Sequence, residues 1–175
     1  MVKHIIRTID DLVVGDTYKL NRYSVPASVS SELITSFLSQ ILNRAAIQDR
    51  ENVFGYYNTP PVLGDITELA RYIIKLPNGV TVNEAWWTVK QSYTDPDVAA
   101  EFMLGITTTP SDNGVIINNP DGTIQIQFIA TPNSTTALNP LETYYYDIKL
   151  MLSDLTEYTC ELGKLFTLGS VTDLT

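Results

Sequence analysis

Two stretches decide the fold: Thr123-Ile124-Gln125-Ile126-Gln127-Phe128-Ile129 and Tyr144-Tyr145-Tyr146-Asp147-Ile148-Lys149-Leu150. In the first, Ile124, Ile126 and Phe128 alternate with Gln125, Gln127 and Ile129; in the second, Tyr144, Tyr146, Ile148 and Leu150 alternate with Tyr145, Asp147 and Lys149. A period of two sends alternate side chains to opposite faces of an extended chain, so each stretch predicts a half-buried strand. Residues 131–140 between them read as a polar loop. Upstream, Val115-Ile116-Ile117 runs into Asn119-Pro120-Asp121-Gly122, a turn signal. Downstream, Tyr158 to Leu162 and Leu165 to Leu168 flank Gly163-Lys164 and read as a closing strand pair. Short strands punctuated by turns predict a mainly β fold, an Ig-like antiparallel β-sandwich.

The pattern extends toward the N-terminus. Tyr72 to Leu76 reaches Pro77-Asn78-Gly79, a hairpin signal, and the following strand is predicted from Val80 to Lys90. There Ala85, Trp87 and Val89 share one face, and Trp86, Thr88 and Lys90 the other. Asp95-Pro96-Asp97 offers an N-cap, a proline for the first helical position and an acid for the helix dipole, so Val98 to Leu104 is predicted as a short helix. Residues 1–25 read as extended, with a turn at Gly15-Asp16. Tyr18, Leu20 and Arg22 share one phase before Tyr23 and Val25 take over the apolar positions. That slip predicts a bulge or a strand end at Pro26.

Residues 30–47 carry a different period. Leu33, Phe37, Ile41 and Ala45 form one row at spacing four, and Ile34, Leu38, Leu42 and Ala46 the adjacent row. Together they make an apolar stripe on a helix capped by Ser30, with Glu32 in its first turn. The stripe covers the domain's own core or packs on a neighbouring subunit. Residues 48–65 read as a loop bearing Tyr56 and Tyr57. The chain is predicted as one domain, 1–175, with a helix- and loop-containing insertion at 26–79 that the sandwich does not need to complete its core.

Composition narrows the function. Eleven Lys and Arg against twenty Asp and Glu leave a net charge of −9, which disfavours a nucleic-acid partner. Cys160 is the only cysteine and His4 the only histidine, so a disulfide, a cysteine cluster or a histidine-centred triad has no material. Asp95 and Asp97 read as caps, and Asp10, Asp11 and Asp16 as turn residues. Glycine-rich phosphate loops and calcium-loop patterns are missing. The expectation is a non-enzymatic protein with no metal and no cofactor. A secretory signal pattern and a membrane-length apolar run are also missing, so no membrane partner is predicted and synthesis and retention in the cytosol, or exit by cell lysis, is expected.

Aromatics supply the candidate contacts. Trp86 and Trp87 point to opposite faces of one strand; Trp87 enters the core, while Trp86 faces out or is covered by the insertion. Tyr145 is the outward member of its triplet. Tyr56, Tyr57, Trp86 and Tyr145, with Phe37 and Ile41 of the helix stripe, are the predicted protein-interface residues. The same aromatics suit sugar stacking if they lie coplanar in an open groove.

Gly15-Asp16-Thr17-Tyr18, Ala85-Trp86-Trp87-Thr88-Val89-Lys90, Asp95-Pro96-Asp97, Gly114-Val115-Ile116-Ile117, Thr123 to Phe128, Tyr145 to Leu150, Tyr158-Thr159, Gly163-Lys164-Leu165-Phe166 and Val171-Thr172 occur in this order. The series resembles the N-terminal β-sandwich domain of phage baseplate upper proteins and related small virion proteins of tailed phages. It covers residues 12–24 and 80–172. Residues 26–79 are longer than the connection usual in that family, and the family's long C-terminal region has no counterpart before Thr175. The resemblance implies a virion structural protein, made in the host cytoplasm, that joins other virion proteins and copies of itself in a tail, baseplate or neck. A capsid decoration (cement) protein is the nearest alternative, and a carbohydrate-binding module the alternative of another class.

Overall fold

The computed structural model describes residues 5–44 and 73–170. Among them, strands β1 (Ile5–Val13), β2 (Tyr18–Pro26), β3 (Ile74–Leu76), β4 (Val82–Lys90), β5 (Phe102–Thr107), β6 (Gly114–Asn118), β7 (Ile124–Ala130), β8 (Thr143–Leu152) and β9 (Glu157–Leu168) form two sheets. The five-stranded sheet has the order β1-β9-β8-β4-β5 and the four-stranded sheet β3-β2-β7-β6. Helix α1 (Ser31–Arg44) follows β2, and a one-turn helix α2 (Pro132–Thr135) follows β7. The protein is therefore mainly β, with two sheets consistent with a sandwich.

The strand phases read from the sequence hold. Trp87, Val89, Ile124, Ile126, Phe128, Tyr146, Ile148 and Leu150 are all buried. Trp87 sits among three rings, with Phe102 edge-on at 5.2 Å and Tyr18 and Phe128 each at 6.1 Å between centroids. Offset and edge-to-face packing of this kind is the favoured arrangement of aromatic quadrupoles.

Both sheets are mixed rather than antiparallel, which corrects one expectation. β1 runs parallel to β9, and β3 parallel to β2. Long connections permit this, since parallel neighbours need a crossover that a hairpin cannot supply. The Pro77-Asn78-Gly79 turn forms, with Gly79 at φ +79, but it joins β3 in one sheet to β4 in the other and makes no hairpin. β3 also corrects the idea that the core is complete without residues 26–79: Ile74 and Leu76 are part of the main core.

Val98 to Leu104 is not a helix. One 3-10 turn spans Asp97–Ala99, and β5 begins at Phe102. Phe102, Leu104 and Ile106 are buried while Met103, Gly105 and Thr107 are exposed, a period of two that outweighs the proline start signal. The Glu101 N–H donates to the Val89 carbonyl at 2.8 Å, so the edge of β4 captures the chain after one turn. Asp95 caps nothing there; its carboxylate accepts from the Ser92 N–H at 3.2 Å.

The predicted break at Gly163-Lys164 is likewise absent, and β9 runs unbroken. Gly163 serves close approach instead. A Cβ there would lie 1.8 Å from the Arg7 carbonyl oxygen and 2.7 Å from Tyr146 Cε1. Only glycine lets the backbone of β1 come so near.

Candidate interaction surfaces

The phase slip in β2 marks where α1 docks. The β2–β7 register is continuous from Tyr18 to Ser24, so there is no bulge, and the strand ends at Pro26. Tyr23 and Val25 point outward from the four-stranded sheet. Tyr23 meets the Phe37 ring edge-on at 6.0 Å, which lays α1 over that outer face. The Ser30 hydroxyl accepts from the Leu33 N–H at 3.2 Å, the predicted cap. The two rows of the stripe then part company: Ile34 and Leu38 are buried, whereas Leu33 is 60% exposed. Phe37 is half-buried against its own domain. Ile41 lies within α1, but its side chain, like Tyr56 and Tyr57, lies outside the described residues.

The outer face of the five-stranded sheet carries Trp86 and Tyr145. α1 packs on the other sheet and does not cover Trp86; residues 45–72, the rest of the insertion weighed as its cover, lie outside the described residues. The indole instead lies over Gly105, where a Cβ would meet its Cδ1 and Nε1 at 3.3 Å. Tyr145 packs against Tyr93 at 4.6 Å with the rings tilted by 49°, and the Tyr93 hydroxyl donates to the Gly163 carbonyl at 2.9 Å. Lys90 bridges to Asp97 at 2.7 Å and donates to the Asp95 carbonyl at 2.8 Å. Burial lifts the Asp147 pKa above the usual carboxylate range against the pull of Lys149 and Lys90.

Strand register arranges this face in transverse rows. Glu84, Met151 and Glu157 form one row on β4, β8 and β9. Trp86, Lys149 and Thr159 form the next, continued on β5 by Gly105. Met103, Thr88, Asp147, Leu162 and Ile6 cross all five strands in the third. Lys90, Tyr145, Lys164 and Thr8 form the fourth. Ile6 is 77% and Met103 50% exposed.

Between the sheets lies a polar cluster that the strand pattern did not announce. Arg22 of β2 meets Glu161 of β9 through two hydrogen bonds, Nε–Oε1 at 2.6 Å and Nη2–Oε2 at 2.9 Å, with both side chains buried. The Tyr146 hydroxyl donates to the same carboxylate at 2.5 Å, and Arg22 Nη1 donates to the Asn21 carbonyl at 2.8 Å. Burial alone would raise the Glu161 pKa; the Arg22 charge and hydrogen bonds, with Arg7 and Tyr146, hold it below the ordinary range. Burial raises Tyr146, and the Glu161 charge adds to it. The available signal was Arg22 itself, a charge in the inward phase of Tyr18 and Leu20. Its partner comes from a strand far along the chain.

A half-open depression of about 410 Å³ lies at one end of the sandwich, lined by Pro26, Leu76, Pro77, Asn118, Pro120 and Ile124 among others. Among the described residues no three His, Cys, Asp or Glu side chains converge to hold a metal ion, and no helix is long and apolar enough to cross a membrane. No family model matches the chain, and no curated protein or solved structure matches it either.

Proposed function

We propose that this chain is a non-enzymatic structural protein of a phage virion, built on an Ig-like sandwich and mediating subunit contacts in a tail, baseplate or neck. The observation that carries the reading is where the resembling segments fall. Ala85–Lys90 lies in β4, Gly114–Ile117 in β6, Thr123–Phe128 on β7, Tyr145–Leu150 in β8 and Gly163–Phe166 in β9. Six of the nine segments thus lie on strands of the sandwich, in order, Tyr158-Thr159 being the sixth, while Gly15–Tyr18 and Asp95–Asp97 fall in the turn before β2 and the loop after β4.

Three features support the Ig-like part. The orders β9-β8-β4-β5 and β2-β7-β6 fit G-F-C-C′ and B-E-D of that fold. Trp87 is then the core tryptophan of strand C. Tyr144 makes a tyrosine corner, its hydroxyl accepting from the Asn139 N–H at 2.8 Å. Residues 26–79 become an insertion between strands B and C, the element we propose for contact with other virion subunits through Tyr56 and Tyr57. The 49° tilt between Tyr93 and Tyr145, and the seating of Trp86 on Gly105, favour assembly over a flat sugar-stacking platform.

Mass spectrometry and cryo-electron microscopy of gradient-purified particles of the encoding virus test the proposal. The chain is expected in those particles in fixed copy number, outside the capsid lattice, and a folded Tyr56→Ser/Tyr57→Ser variant is expected to be incorporated poorly. Recovery of the chain only from the particle-free lysate would overturn the reading. Recovery on the capsid surface would favour a decoration role.

A further inference from the structure

We infer that the outer face of the five-stranded sheet is a homodimer surface, on which two copies pack face to face with each strand antiparallel to its own counterpart. Size is the first argument. Five strands spaced by ~4.8 Å, each about nine residues long at ~3.3 Å per residue, span roughly 700 Å². Stable interfaces bury about 600–1,000 Å² of each partner. The four-stranded sheet cannot offer its outer face in the same way, because α1 lies on it.

Exposed apolar side chains also lie on this sheet, Ile6 and Met103 in its third row and Phe166 and Leu168 beyond its fourth. Ile6, Met103, Phe166 and Leu168 point outward from this sheet, each at least 38% exposed, and Tyr93 stands beside Tyr145 at 51% exposed. Tyrosine, tryptophan and methionine are the residue types that interfaces favour.

Charge decides the occupant and its orientation. A chain of net charge −9 repels its own copies in general. On this face the charges are sorted along the strands, with Glu84 and Glu157 in the first row and Lys90 and Lys164 in the fourth. A two-fold axis lying in the interface, perpendicular to the strands and between the second and third rows, leaves every strand opposite itself and reverses its direction. On β4 Lys90 is held by Asp97 of its own copy and is not offered across the axis. Glu157 faces Lys164 of the second copy on β9, and Lys149 faces Asp147 of the second copy on β8. Two strands, β8 and β9, thus carry opposite charges at positions that one operation superimposes, the self-complementarity an isologous interface requires.

The inference deepens the assembly reading but stands on geometry alone, so the purified full chain tests it by sedimentation equilibrium. The chain is expected to dimerise reversibly. Glu157→Lys and Lys164→Glu, both at exposed positions, each place like charges opposite one another twice per dimer and are expected to weaken it by about tenfold or more. The doubly exchanged Glu157→Lys/Lys164→Glu chain restores opposite pairing and is expected to recover most of the affinity. Leu33→Glu, on α1, is the control expected to leave dimerisation unchanged. A chain monomeric at all attainable concentrations, a dimer insensitive to both single changes, or failure of the double change to rescue would each overturn the inference. A monomeric chain that still enters particles would end this inference and spare the virion reading; a dimer absent from particles would do the reverse.

Discussion

At the scale of single residues, the Arg22–Glu161–Tyr146 cluster ties the two sheets together. Here the cross-tie is ionic, and its net contribution is modest because desolvation opposes the attraction. Losing one partner is another matter. Arg22→Ala leaves a buried carboxylate without its cation and is expected to cost about 3–5 kcal/mol. Arg22→Met with Glu161→Leu removes both charges and is expected to cost less than Arg22→Ala alone. Urea unfolding of the three proteins checks this; a double variant less stable than the single one would refute it.

At the scale of elements, α1 packs outside the main core. Its buried residues Ile34 and Leu38 lie on the outer side of the four-stranded sheet, apart from the core between the sheets. An isolated helix of this length is marginal in water, so the cap and this patch carry it. Ser30→Ala is expected to cost about 1 kcal/mol through loss of the hydrogen bond to the Leu33 N–H. Hydrogen exchange is expected to show the loss first in the amides of α1, with those of β4 and β8 unchanged. Uniform acceleration across the sheets would mean that α1 unfolds only with the whole domain.

At the scale of the whole molecule, pH acts from both sides. The Glu161 pKa is depressed below its ordinary 4.5, so its contribution is complete above that value and is lost as pH falls through the lower folded value. The groups facing it are Arg22 from β2, Tyr146 from β8 and Arg7 from β1. The tyrosines act in the opposite sense. Burial raises Tyr18, Tyr146 and Tyr158 well above the ordinary 10.0; for Tyr18 the nearby Asp11 carboxylate adds to it. Their contribution is complete below pH 10 and is lost as pH climbs toward the raised values. Stability is therefore expected to fall above about pH 10, with phenolate absorbance of these three tyrosines appearing together with loss of circular dichroism. Full tyrosine ionisation in a still-folded protein would contradict this.

The inward faces of β4, β7 and β8, the turn at Gly15-Asp16 and the capped start of α1 were legible in the residues, because alternation and capping are local effects. What escaped was decided by distant partners. β5 replaced a predicted helix because β4 offered it an edge to pair with, and Gly163 proved a site of backbone approach because β1 lies beside it. Trp86 was correctly read as outward, yet its seat on Gly105 depends on β5 pairing with β4. Arg22 looked like one more inward position until Glu161 was brought opposite it. The sorting of Glu84, Glu157, Lys90 and Lys164 into rows is likewise invisible along the chain, since it arises only from the register between strands. Local chemistry determined which side of β4, β7 and β8 is dry; the pairing of strands far apart in sequence decided that β5 is extended and which charges meet, because register is a property of two segments and never of one.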